Sequence, residues 1–132
     1  IDGNEIIIID DIISSGQSML DTASQLKKMN ARRVFICTTF GLFTDGLEVF
    51  DEAYSKGHFD KVVTTDLTYL PPELYDRPYF IEAGMGKFIA SLIDFMNHDA
   101  SLNNALTPTE KIHQILDAYN NRLRADSFTG RN

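Results

Sequence analysis

The stretch Glu5-Ile6-Ile7-Ile8-Ile9-Asp10-Asp11 sets four consecutive isoleucines ahead of two adjacent carboxylates. A half-exposed strand alternates apolar and polar side chains, whereas an unbroken branched run suits a strand buried on both faces of a parallel sheet. The expected fold class is therefore α/β, a parallel sheet with helices on both faces. Asp10 and Asp11 then fall at the strand's carboxyl end. In open α/β sheets that rim is where ligands bind, because the loop crosses it and the next helix points its N-terminus there.

The residues after the run specify what such a rim could hold. Two carboxylates about 6 Å apart repel by about 3 kcal/mol at an effective dielectric near 20, so hydroxyl donors, a divalent cation or backbone amides must offset them. A ribose offers two vicinal hydroxyls at a suitable separation. Ser14, Ser15 and Ser18 supply three hydroxyls around Gly16 and Gln17. Glycine permits the positive backbone angle of a tight, amide-lined turn that accepts phosphate. Met19, Leu20, Ala23 and Leu26 recur at helical spacing, so a helix starting near Gln17 turns its unpaired N–H groups toward the turn. Sugar hydroxyls on the acids and phosphate on the serine turn describe a pentose 5-phosphate.

Beyond this segment, strands and helices alternate. Strands are expected at 5–10, 33–38 and 61–66, and helices at 17–29, 46–56 and 86–97. Such alternation implies right-handed crossovers between parallel strands. Leu67–Pro78, with Pro71-Pro72, reads as a surface loop, and Tyr79–Glu82 as a short edge strand. Phe88, Ile89, Leu92, Ile93 and Met96 form a helical stripe suited to a core or a subunit contact. Thr107-Pro108-Thr109-Glu110 is a capping box opening a last helix to about Arg124, with Ile112, Ile115, Leu116, Tyr119 and Leu123 turned inward. The tail from Ser127 to Asn132 is expected to fray. The domain reading is residues 1–98 as one α/β unit and 99–132 as a C-terminal helix and tail.

Charge and composition narrow the function classes. A formal charge of −7, with basic residues paired only at Lys27-Lys28 and Arg32-Arg33, argues against a nucleic-acid partner. No apolar run reaches the length of a spanning helix and no signal-like start is present, so a cytoplasmic protein without a membrane partner is expected. The single Cys37 falls in an apolar strand and reads as a buried thiol. His58, His98 and His113 are scattered without ligand spacing. No G-x-G-x-x-G follows a strand, which excludes a Rossmann dinucleotide site. A receiver domain would need an Asp at the end of a later strand, but strand two ends in Cys37-Thr38-Thr39-Phe40 with no acid, and the Ser14-Ser15-Gly16-Gln17-Ser18 loop would have no purpose there.

An apolar strand, Asp-Asp, two apolar residues, two small polar residues, glycine, any residue and Ser/Thr resembles the ribose-phosphate loop of type I phosphoribosyltransferases and of ribose-phosphate pyrophosphokinase (PRPP synthetase). Leu26-Lys27-Lys28 with Ala31-Arg32-Arg33-Val34, then Thr39-Phe40-Gly41-Leu42-Phe43-Thr44, then Lys61-Val62-Val63-Thr64-Thr65-Asp66 extend the resemblance to the synthetase in order and spacing, over residues 4–98. It implies the latter part of a type I phosphoribosyltransferase-like domain. It also implies a parent activity that moves pyrophosphate from ATP to ribose 5-phosphate, giving PRPP and AMP with Mg2+ required. By that resemblance Asp10 and Asp11 hold the ribose hydroxyls, or Mg2+ through the substrate, while Ser14, Ser15, Gly16, Gln17 and Ser18 form the substrate loop. No residue here is expected to be catalytic. Ser14 stands where many synthetases carry aspartate, Gln17 where a second glycine is usual and Phe40 where histidine is common; a serine donates to phosphate but does not act as an acid or base near neutral pH.

By the resemblance, the ATP pocket and catalytic loop are built from segments N-terminal to Asp10. The chain is accordingly expected to be a C-terminal fragment that binds without turning over. An exposed isoleucine edge on strand one should seek a partner, so a homo-oligomer is expected. A base-transferring phosphoribosyltransferase and a non-catalytic, synthetase-like regulatory subunit are the alternative parents.

Overall fold

The computed structural model describes residues 1–98 and 109–129, apart from the side chains of 110, 111 and 123–129. Two compact units divide at Gly86, residues 1–86 and 87–132. In the first, β1 (Glu5–Ile13), α1 (Gln17–Lys28), β2 (Arg33–Gly41), α2 (Glu48–Ser55), β3 (Lys61–Thr65), a 3-10 turn (Pro72–Asp76) and β4 (Phe80–Ala83) follow in order. The strands pair in the order β1-β2-β3-β4, every pair parallel, so the expected parallel α/β sheet is what the chain forms.

Stepping across a sheet in one direction with crossovers of one hand places each connecting helix on the same face. Met19, Leu20 and Ala23 of α1 and Phe50 and Ala53 of α2 accordingly join one core with Val34, Ile36 and Val62, and Ile6 and Ile8 pack against it. Among the described residues of this unit, no helix packs on the opposite face. Ile9 is 79% exposed there and Ile7 and Ile81 are also exposed. Cys37, expected to be buried, is half-buried on this open face, where partial burial still pushes its thiol pKa up.

β1 and β2 both run three residues beyond their expected ends. Asp10 pairs with Thr38, Ile12 with Phe40 and Ile13 with Gly41, and the Leu42 amide donates to the Ile13 carbonyl at 2.8 Å. Ile13 is fully buried, so the strand continues past its carboxylates to seat an apolar anchor. The 67–78 segment is also less superficial than expected, since Leu70 and Leu74 enter the core.

Side-chain ties hold the crossovers in place. α1 ends in a Schellman motif with Asn30 at φ 62°, the Ala31 amide donating to the Leu26 carbonyl at 3.1 Å and the Asn30 amide to Lys27 at 3.0 Å. Asp60, just ahead of β3, accepts from Lys27 Nζ and the Val34 amide, each at 2.8 Å. Asp51 of α2 accepts from Arg77 Nη2 at 2.8 Å and from the Tyr79 hydroxyl at 2.7 Å. Those bonds, the Arg77 one foremost, hold the Asp51 carboxyl below the usual range against an opposing push from burial.

The second unit contains α3 (Gly86–Asn97) and a helix labelled α4 (Thr109–Thr129). Phe88, Ile89, Ile93 and Met96 are exposed rather than core, and so are Ile112, Ile115, Leu116 and Tyr119, which were expected to face inward. α4 runs to Thr129, past both its expected end at Arg124 and the expected start of fraying at Ser127. The capping-box residues Thr107 and Pro108, and residues 130–132 of the tail, lie outside the described residues. Among the described residues, no helix is long and apolar enough to cross a membrane.

Candidate functional site

The turn between β1 and α1 builds a cavity of about 150 Å³, lined by Asp10, Ile12, Ile13, Gly16 and Met19 together with Ser14, Ser15, Gln17 and Ser18. Asp10 and the whole serine turn are thus brought together. Asp11 is not part of that lining. Side chains alternate across a strand, so neighbouring residues of β1 project to opposite faces. Asp11 contributes its backbone instead: its N–H donates to Asp10 Oδ1 at 2.8 Å, which orients that carboxylate and leaves Oδ2 for a ligand.

Local geometry opens the turn toward its amides. Gly16, at φ 83°, is the N-cap of α1 and provides no side-chain cap. The Leu20 amide closes the first helical bond to the Gly16 carbonyl at 3.0 Å, so the Gln17, Ser18 and Met19 amides precede the helical ladder. Ser15 Oγ accepts from the Gln17 amide at a long 3.4 Å. No acidic residue occupies the first turn of α1, and the helix dipole there favours an anion. Gln17 Nε2 donates to Asp21 Oδ1 at 2.9 Å, which draws the glutamine amide along the helix.

The β2–α2 loop backs the turn, a role that no single residue advertised in the sequence. The Thr44 amide donates to the Ser14 carbonyl at 3.0 Å, and the two hydroxyls lie 3.4 Å apart. Strand pairing ends with Ile13 opposite Gly41, and the loop that follows Gly41 turns back to bring Thr44 to Ser14, a contact with no local signal in the sequence.

Across the sheet, strand pairing aligns Asp10, Thr38, Thr64 and Glu82 in one row. Thr38 and Thr64 are 8% and 0% exposed, and neither buried hydroxyl has a hydrogen-bond partner among the described residues. Thr65 and Asp66 of this rim do have structural partners. Thr65 Oγ1 donates to the Thr39 carbonyl at 2.6 Å, and Asp66 Oδ1 accepts from the Met85 amide at 2.7 Å.

An apolar-anchored strand exit, one carboxylate and an amide-rich serine turn thus lie together at the C-terminal rim of a parallel sheet, the edge at which open α/β sheets bind ligands. The sequence pattern of the phosphoribosyl transferase domain matches residues 1–68, and the chain belongs to that family. It is 37% identical over 69 residues to the ribose-phosphate pyrophosphokinase of Pyrococcus abyssi, covering 52% of this chain and 24% of that protein. With the ribose-phosphate pyrophosphokinase of Shewanella oneidensis it is 27% identical over 103 residues, 78% of this chain and 32% of the relative. A crystal structure of phosphoribosylpyrophosphate synthetase from Mycobacterium smegmatis superposes with a TM-score of 0.65 at 18% identity, covering 75% of this chain and 32% of that one. The resemblance read from the loop motif is therefore met by relatives of that name, of whose length the chain spans a quarter to a third.

Proposed function

We propose that this chain supplies the ribose 5-phosphate-binding part of a ribose-phosphate pyrophosphokinase. The observation that carries the reading is the single cavity shared by Asp10 and the Ser14–Ser18 turn. Asp10 would accept hydrogen bonds from the sugar hydroxyls, with Oδ1 steadied by the Asp11 amide. Asp11, one residue on, would carry charge at the edge of the pocket and serve mainly through its backbone. The amides of Gln17, Ser18 and Met19, with the Ser15 and Ser18 hydroxyls, would receive the 5-phosphate.

The parent reaction transfers pyrophosphate from ATP to the anomeric hydroxyl, giving PRPP and AMP. The contribution of these residues is orientation: a sugar fixed at both ends presents its anomeric oxygen in one direction, which supplies proximity rather than proton transfer. The chain on its own is proposed to bind and not to turn over. Relatives named for the pyrophosphokinase favour this parent over a base-transferring enzyme.

Mg2+ fits the donor set in a limited way. Among the described residues no cluster of three metal-ligating side chains exists, so a cation would be shared between Asp10, substrate oxygens and water, the usual arrangement for this hard, strongly hydrated ion. When bound it would neutralise phosphate charge.

Calorimetric titration with ribose 5-phosphate, ribose and inorganic phosphate tests the reading. Ribose 5-phosphate should bind at least about tenfold more tightly than either part, since both ends of the cavity are then used. Equal affinity for ribose 5-phosphate and inorganic phosphate would show that the carboxylate end takes no part.

A further inference from the structure

The phosphate turn rests on a residue from another helix. At Gly16 the position a Cβ would occupy lies 2.1 Å from Phe50 Cζ and 2.6 Å from Cε2. The backbone of the turn is therefore in direct contact with the tip of a ring on α2, and the absence of a side chain at position 16 is demanded by space as well as by its φ of 83°.

Phe50 has little room to yield. It is fully buried, and its ring is held edge-on by Phe43, with centroids 5.1 Å apart at 73°, and by Phe59, at 6.3 Å and 75°. Packed aromatic rings in such edge-to-face contacts keep one orientation, and a close-packed core transmits displacement rather than absorbing it. The turn is thus supported from below by Phe50 and from the side by the Thr44 amide on the Ser14 carbonyl, at 3.0 Å.

We propose that Phe50 is a positioning residue for the substrate site, its ring setting the height and curvature of the Ser15–Gly16–Gln17 backbone and hence the direction of the amides that receive phosphate. This rests on the reading that the turn holds the 5-phosphate. α2, remote from the turn in sequence, becomes part of the binding apparatus, and Phe43 and Phe59 act through it.

The experiment is a double-mutant cycle on the full chain, with ribose 5-phosphate as the titrant. Gly16→Ala should weaken binding on the order of tenfold or more, because the methyl group meets the ring. Phe50→Leu, which withdraws the ring tip, should weaken binding by itself yet restore a substantial part of the affinity when combined with Gly16→Ala. If Phe50 only fills the core, shortening it does nothing for the affinity lost in Gly16→Ala, and the double variant binds no better than that single one. A double variant that binds no better than Gly16→Ala alone overturns the proposal.

Amide hydrogen exchange on the ligand-free protein provides the second arm. Phe50→Leu should speed exchange at the Leu20 and Thr44 amides, which are bonded to the Gly16 and Ser14 carbonyls of the turn, on the order of tenfold relative to the middle of α1. Unchanged protection at those amides also overturns the proposal. If the wild-type chain binds no ribose 5-phosphate, the substrate reading fails, and the exchange result still decides whether Phe50 shapes the turn.

Discussion

Thr64→Val removes a hydroxyl that is fully buried on the covered face of the sheet and has no hydrogen-bond partner among the described residues. A buried, unpaired hydroxyl costs about 1–3 kcal/mol, and the replacing methyl fills the same outline. The substitution should therefore raise stability by about 1–2 kcal/mol, which for a unit of this size moves the melting temperature up by roughly 4–8 °C per kcal/mol. Thr38→Val should stabilise by a similar route, since its hydroxyl is also buried without a partner. The two should part in binding. Thr38 is the cross-strand neighbour of Asp10, which lines the cavity, whereas Thr64 is one strand further away. Differential scanning calorimetry paired with ribose 5-phosphate titration reads both properties. The expected pattern is a melting temperature raised in both variants and affinity lowered only in Thr38→Val. A loss of about 1 kcal/mol or more in Thr64→Val would mean that the hydroxyl has a partner, and the argument from unpaired burial would fail.

Asp60 should make the fold acid-sensitive. Burial pushes its carboxyl pKa up, but hydrogen bonds from Lys27 and the Val34 amide, with the Lys27 and Arg33 charges, outweigh burial and hold it below the ordinary 3.8. A carboxylate depressed in the folded state contributes stability above its unfolded pKa and loses it as pH falls through the folded value. Asp60→Asn should accordingly cost about 1 kcal/mol near pH 7, after discounting for partial exposure, and progressively less as pH falls below the ordinary carboxylate range; a pH-independent difference in melting temperature would refute this. The open face and edge of β1 should drive self-association, because Ile9 is 79% exposed there beside a strand paired on one side only among the described residues. Sedimentation velocity should show concentration-dependent association that Ile9→Lys reduces while the melting temperature stays within about 1 °C; a wild-type chain that remains monomeric across the range would contradict it.

The local periodicities were legible because each depends on neighbours in sequence. Ile6–Ile9 announced a strand, Met19 to Leu26 announced α1, and the alternation announced a parallel sheet. What sequence did not reveal depends on partners. The Asp10-Asp11 pair looked like a strand end, yet β2 continues alongside and buries Ile13. Strand order has no local signature, so the one-sided placement of α1 and α2, and with it the exposure of Ile7 and Ile9, could not be read in advance. Leu70 and Leu74 lay hidden in a proline-marked loop because burial there depends on the fold around them. In the site, the serines and Asp10 were visible as chemistry in one short segment. Thr44 and Phe50 were not, since their roles come from a loop that turns back and from contact between helices.

The claim that a sugar is gripped at Asp10 while its phosphate lies in the serine turn is tested most directly by titrating ribose 5-phosphate into Asp10→Asn and Asp11→Asn chains. Asp10 lines the cavity and Asp11 does not, and hydrogen bonds to a charged group are worth about 1.5–3 kcal/mol, roughly ten- to a hundredfold in affinity. Asp10→Asn should lose affinity on that scale and Asp11→Asn only a few-fold. Equal losses, or a larger loss at Asp11, would contradict the account.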